Sequence, residues 1–194
     1  MKLCGLTGGV GMGKSTAAGF LLQAGAQVVD TDDIARQLVQ RGQPAVQEIV
    51  STFGEGLLDA AGALKRAELA RIVFKDELAR NKLEAILHPR IRERWAAQVE
   101  TWRTENCPLA VVVIPLLFET QAESYFDKII CIACSAETQA ERLKLRGWSA
   151  EQIAQRIAAQ LPVEQKMSRA NFVVWSEGTP EIHRQQLAAI LAGI

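Results

Sequence analysis

Residues 8–15 read Gly-Gly-Val-Gly-Met-Gly-Lys-Ser, which matches the spacing G-x-x-x-x-G-K-[ST]. The match lies between a short apolar run, Lys2 to Thr7, and helix-compatible sequence from Lys14 to Ala24. Strand, glycine loop and helix in that order constrain the fold more than any other feature of the chain. Glycines at Gly8, Gly11 and Gly13 permit the backbone angles and close approach that a ring of inward N–H donors requires. The N-terminus of the following helix faces the same point and favours negative charge. Lys14 supplies a mobile cation and Ser15 a hydroxyl. The common ligand of all these groups is a chain of phosphates.

The rest of the sequence extends this opening into an α/β fold. Ala26 to Asp30 gives a second strand signal, and the sequence predicts a helix from there through Arg41, with Asp30 to Asp33 available as caps. Further strands are expected at Leu109 to Ile114, Lys128 to Ile132 and Phe172 to Trp175, with a last helix from Thr179. Their apolar runs are continuous rather than alternating, as in parallel strands covered on both faces. Pro44 to Glu105 carries helical periodicity without a strand signal, with breaks expected near Gly54 to Gly62 and at His88-Pro89. Ala136 to Ala170 is a second helical excursion, rich in Arg and Lys, expected to break at Gly147 and Pro162.

Composition narrows the surroundings. The 194 residues hold 22 Lys plus Arg and 22 Asp plus Glu, so no global basic field recruits nucleic acid or an acidic membrane surface. The longest apolar run, Leu109 to Phe118, is broken by Pro115 and is no membrane span. Four cysteines without an export signal fit reduced thiols and a cytoplasmic setting. Cys131 and Cys134 form a C-x-x-C, but in an apolar strand residues three apart point to opposite faces, so they read as core cysteines.

Several classes of protein share the phosphate loop. A guanine-reading N-K-x-D segment is not found, and the strand at Leu109 to Ile114 runs into Pro115 rather than into Asp or Asp-Glu. Instead Asp30-Thr31-Asp32 follows the second strand directly, at the sheet edge where α/β folds place ligands. Two carboxylates there suit a hydroxyl acceptor, one taking its proton and the other holding magnesium-bound water or fixing the first. Capping of the next helix is the structural alternative. Transfer of a phosphoryl group also needs cations around it, and Arg142 and Arg146, four apart, are candidates from a mobile lid. The expected activity is ATP-dependent phosphorylation of a small-molecule hydroxyl.

The segments Leu6 to Thr16, Val29 to Arg36, Leu87-His88-Pro89, Pro115 to Glu119 and Gln160-Leu161-Pro162 with Lys166 resemble dephospho-coenzyme A kinase in order and spacing along nearly the whole chain. The resemblance implies a three-layer P-loop NTPase fold with a five-stranded parallel sheet. It implies transfer of the ATP γ-phosphoryl to the ribose 3′-hydroxyl of dephospho-coenzyme A. It divides the chain into a nucleotide-binding core (1–30, 108–135 and 171–194), a helical acceptor-binding region (31–107) and a lid (136–170). Gly8, Gly11, Met12, Gly13, Lys14, Ser15 and Thr16 would bind the nucleotide, with Ser15 on Mg2+. Asp32 falls on the family's presumed catalytic aspartate, and Asp30, Asp32, His88 and Glu119 would face the acceptor, with a helix end the other reading of His88, and the magnesium site or a structural cap the other readings of Glu119. The expected assembly is a monomer or weak homo-oligomer. Two departures stand out: Thr31 replaces a family alanine between Asp30 and Asp32, and Trp175-Ser176-Glu177-Gly178 replaces the Asp-Asn that often precedes the glycine near the adenine, so no adenine contact is assigned there.

Overall fold

The structure is a computed structural model that describes residues 1–194. Five strands, β1 (Lys2–Gly8), β2 (Gln27–Asp30), β3 (Leu109–Val113), β4 (Lys128–Ala133) and β5 (Phe172–Trp175), form one sheet in the order β2-β3-β1-β4-β5. All neighbours are parallel, with Leu6 opposite Val113, Asp30 opposite Val113, Cys4 opposite Lys128 and Ile130 opposite Phe172. Cys4, Leu6, Val111, Val113, Ile130, Ile132 and Val174 form one buried layer with Ala17 and Leu21 of α1 (Lys14–Gln23) and Leu187 of α9 (Pro180–Ala192). Gly5 points the opposite way, where a side chain would meet Leu117 and Phe126. Cover on both sides is why these strands read as unbroken apolar runs, each large aliphatic contributing about 2 kcal/mol of burial.

The chain divides into two compact units, Met1–Asp30 with Thr101–Ile194, and Thr31–Glu100. Besides the sheet, the first holds α6 (Ala136–Leu145), α7 (Ala150–Ala158) and α8 (Val163–Arg169). The turns between these three helices fall at Gly147, with φ 82°, and at Pro162, the N-cap of α8. Side-chain oxygens of Ser135 and Ser149 accept N–H groups at the starts of α6 and α7, and α8 packs on β1 and β4.

The second unit contains α2 (Thr31–Leu38), α3 (Pro44–Phe53), α4 (Arg66–Lys75) and most of α5 (Glu77–Thr104). Ile34, Leu38, Ala45, Val46, Ile49, Leu57, Leu64, Leu69, Ala79 and Ile86 are buried there, and Arg90 pairs with Glu48. Two expectations are corrected. The helix after β2 ends at Leu38 rather than Arg41, because Gly42 adopts φ 82° and Pro44 disfavours helical angles at Gln43. The chain turns instead, with Gln43 N–H donating to the Gln40 carbonyl at 3.1 Å.

The break expected at His88-Pro89 does not occur, since α5 runs through Pro89. A proline in a helix removes one N–H and clashes with the carbonyl four residues earlier. Here both Pro89 and Ala85 are exposed, on the side of the helix where water can take up a freed carbonyl. The buried positions also change face across the proline: Ile86 and Trp95 are nine residues apart, half a turn out of phase at 100° per residue. That shift mimics a break in the sequence while the backbone continues.

All four cysteines are free thiols, with Cys4, Cys131 and Cys134 buried and Cys107 half-buried. Burial pushes the Cys4 and Cys131 thiols up to about 11 and raises that of Cys134 as well.

Candidate functional site

β1 ends at Gly8 and α1 begins at Lys14, so the glycine loop bridges strand and helix directly. Gly8 has φ 143° against the neighbouring strand, and a side chain there would collide with the Ile132 carbonyl oxygen. Gly13 sits in the left-handed region at φ 92° as the N-cap of α1, with no side-chain cap and no acidic residue in the first turn. An anion is therefore the matching partner for the helix start. Lys14 Nζ donates to the carbonyls of Gly8 and Gly9, 2.9 Å each, which folds it back over the loop. Ser15 and Thr16 are exposed on the first turn, and Met12 is buried beneath the loop.

Ser176, which has no role assigned from sequence, holds this loop together with Arg142. Ser176, just past β5, donates from Oγ to the Met12 carbonyl at 2.8 Å. Arg142 on α6 donates from Nη1 to Ser176 Oγ at 2.9 Å and from Nη2 to the Ser176 carbonyl at 2.6 Å. Glu177 accepts from the Ser135 backbone N–H at 2.6 Å and from Trp175 Nε1 at 2.9 Å. Hydrogen bonds from Ser135, then from Trp175 and Thr138, hold its carboxyl down at about 2. The loop after β5 thus anchors Arg142 at Ser176. The only sequence signal for Ser176 and Glu177 was the departure from the resembled pattern at Trp175 to Gly178. Arg146, paired with Arg142 by spacing, is the C-cap of α6 and is exposed.

Asp30 closes β2 at half-burial and lies level with Leu6, two residues before the loop, on the edge where the parallel strands end. Asp32 is exposed in the first turn of α2, where a carboxylate suits the positive end of the helix. His88 is half-buried in the middle of α5. The loop, Arg142, Arg146, Asp30 and Glu119 therefore belong to the first unit, and Asp32 and His88 to the second.

Glu119 has a partner that its sequence position did not disclose. Its Oε1 accepts from Lys166 Nζ at 2.7 Å and from the Leu161 N–H at 2.9 Å, while Oε2 is buried without a partner. Lys166 is fully buried and also donates to the Pro115 carbonyl at 2.7 Å. That carbonyl accepts from Thr7 Oγ1 at 3.3 Å, one residue before Gly8. A buried charge with two oxygen partners sits next to the loop's entry point.

Comparison with known proteins supplies the deciding observation: the dephospho-CoA kinase family model matches residues 2–181. The chain belongs to the dephospho-CoA kinase family. It is 41% identical to the dephospho-CoA kinase of Geobacillus kaustophilus (strain HTA426), over 96% of this chain and 94% of that one. It is 40% identical to the dephospho-CoA kinase of Geobacter sulfurreducens, over 99% and 98%. Among solved structures, dephospho-CoA kinase from Campylobacter jejuni superposes with a TM-score of 0.73 at 28% identity, covering 99% of this chain and 96% of that one. Shikimate kinase from Acinetobacter baumannii, 14% identical over 100% and 94% with a TM-score of 0.55, shares the fold alone.

Proposed function

We propose that this chain is a dephospho-CoA kinase that transfers the γ-phosphoryl of ATP to the ribose 3′-hydroxyl of dephospho-CoA, giving CoA and ADP in the last step of CoA synthesis. Family membership over almost the whole chain, together with a glycine loop closed by Lys14 at the start of α1, carries the reading. The loop amides, the α1 N-terminus and Lys14 neutralise the phosphate chain, and Lys14 exchanges its carbonyl partners for phosphate oxygens when nucleotide arrives.

Arg142 and Arg146 would stabilise charge on the transferring group, and residues 136–170 that carry them would act as a lid. Asp32 would accept the proton of the attacking hydroxyl, with Asp30 supporting it. Residues 31–107 would bind the acceptor, His88 and Glu119 among its contacts. The exposed Ser15 hydroxyl is a hard oxygen donor of the kind Mg2+ takes alongside phosphate oxygens and water. Bound there, Mg2+ would offset the growing charge between the β- and γ-phosphates. No helix is long and apolar enough to cross a membrane. A cytoplasmic enzyme acting as a monomer or weak homo-oligomer is the proposed setting.

The test is mass spectrometry of a reaction containing the protein, MgATP and dephospho-CoA, run beside shikimate, gluconate and nucleoside monophosphates. A CoA product one phosphoryl group heavier than the acceptor is expected. Phosphorylation of another acceptor with dephospho-CoA left unchanged would overturn the substrate assignment. ADP release with no phosphorylated acceptor would overturn the transfer chemistry.

A further inference from the structure

Val10 occupies the loop between Gly8 and Gly13, and both of its backbone groups are held by side-chain amides from distant parts of the chain. Its N–H donates to Gln160 Oε1 at 2.9 Å, and its carbonyl accepts from Gln139 Nε2 at 2.7 Å. Gln139 lies on α6 and is 5% exposed; Gln160 lies between α7 and α8. The polarity of both contacts is fixed, because a backbone N–H only donates and a carbonyl only accepts. Gln160 must present its oxygen and Gln139 its nitrogen.

These bonds matter because each fixes a whole peptide plane. In a trans peptide the C=O and the N–H of the bond point in opposite directions. Holding the Val10 carbonyl toward Gln139 therefore aims the Gly11 N–H away from α6. Holding the Val10 N–H toward Gln160 aims the Gly9 carbonyl the other way, and that carbonyl is one of the two that Lys14 Nζ contacts. Gln139 thus orients a loop donor and Gln160 orients a seat of the loop's lysine. Glycine on both sides of Val10 leaves these planes free to rotate without such restraints.

We propose that Gln139 and Gln160 are positioning residues for phosphoryl transfer, presenting the Gly11 N–H and Lys14 to the nucleotide phosphates. The inference rests on the reading that this loop binds ATP for transfer. Neither glutamine touches the reacting atoms; both act through Val10. Because they sit on the 136–170 segment, the loop's geometry is tied to the helices that carry Arg142 and Arg146.

The experiment places Met and Glu separately at each position in the full chain. It measures ATP affinity by calorimetry, KM for ATP and for the acceptor, and the unfolding midpoint. Gln139→Met, Gln160→Met and Gln139→Glu are each expected to weaken ATP binding about tenfold, the scale of one net hydrogen bond. Gln160→Glu keeps an acceptor for the Val10 N–H and is expected to stay within about threefold of the parent. Both glutamates add one negative charge a side-chain length from the same residue, so the difference between them reads hydrogen-bond polarity rather than repulsion from phosphate. Acceptor KM and unfolding midpoint should move little. Glutamate tolerated equally at both positions would overturn the proposal, as would unchanged ATP affinity in both Met variants. Parallel losses in ATP affinity, acceptor KM and midpoint would assign the glutamines to stability instead. If a Met variant does not fold, the two Glu variants still decide. Calorimetry needs no acceptor, so a parent that binds ATP but does not phosphorylate dephospho-CoA sinks the kinase reading separately.

Discussion

Lys166 Nζ lies 2.7 Å from Glu119 Oε1, and the lysine side chain has no exposure to solvent. Removing one member of a buried pair leaves the other charge without compensation, which is the expensive way to break it. Lys166→Met keeps the stem's volume and should cost about 3 kcal/mol of stability, read as a lower denaturant midpoint. Adding Glu119→Gln should recover much of the loss while keeping the Leu161 N–H bonded. A single variant within about 0.5 kcal/mol of the parent would mean the pair holds nothing together.

Lys14→Ala removes a cation whose partners in the structure are two loop carbonyls. Transfer should fall below detection with the unfolding midpoint nearly unchanged, because no core packing is lost. Steady-state turnover at the parent rate would refute the loop's catalytic role.

Asp32→Asn keeps size and hydrogen bonding but removes charge and proton affinity. Asp32 lies inside the first turn of α2 rather than at its cap, so a purely local role costs asparagine only the small charge–dipole term and predicts almost normal turnover. The proton-acceptor role predicts a loss of about 10² or more in kcat with ATP affinity within a few-fold of the parent. Running Asp30→Asn beside it shows which carboxylate dominates.

Arg142 and Arg146 should separate in kinetics. Arg142 is anchored through both terminal guanidinium nitrogens to Ser176, whereas Arg146 is an exposed C-cap. Arg142→Ala should lower kcat and also loosen nucleotide binding, since the Ser176 bond to the Met12 carbonyl loses its support. Arg146→Ala should lower kcat more than it weakens ATP binding if its cation serves the transition state. Unchanged kcat in both would end the lid assignment.

His183 supplies a pH test. It is 4% exposed and stacks edge-on against Phe20 with ring centroids 5.5 Å apart. Burial, aided by the charge of Arg142, lowers its pKa below the ordinary 6.5. The folded state thus resists protonation more than the unfolded chain does. Its contribution is complete above about pH 6.5 and is lost as pH falls through the lower folded value. The unfolding midpoint should drop between pH 7.5 and 5.5 by more in the parent than in His183→Leu; equal drops would show that the histidine does not contribute.

The sheet was legible because parallel strands covered on both faces write continuous apolar runs, and all five were located within a residue or two at each end. The helical insertion was legible as helix but not as one long helix, since Pro89 and the change of buried face from Ile86 to Trp95 imitate an end. The phosphate loop was legible letter by letter because its glycines answer to local backbone geometry. Its supports were not. Gln139, Gln160 and Ser176 meet the loop across 129, 150 and 164 residues of chain, and a glutamine on a helix carries no local mark of the carbonyl or amide it will find. Lys166 carries part of the family resemblance, but its burial was not legible, because only packing against Pro115 and Glu119 distinguishes a sealed ammonium from a solvated one.

The arrangement of the thiols gives the molecule an internal gauge of its own opening. Cys4 and Cys131 are on two adjacent central strands and Cys134 is just beyond one of them, while Cys107 stands half-exposed before β3. A thiol reagent reacts with thiolate, which burial makes both scarce and unreachable at the first three positions. Labelled under native conditions, the chain should take up one equivalent quickly through Cys107. The slow uptake of three more then reports how often the middle of the sheet is breached, without any engineered probe.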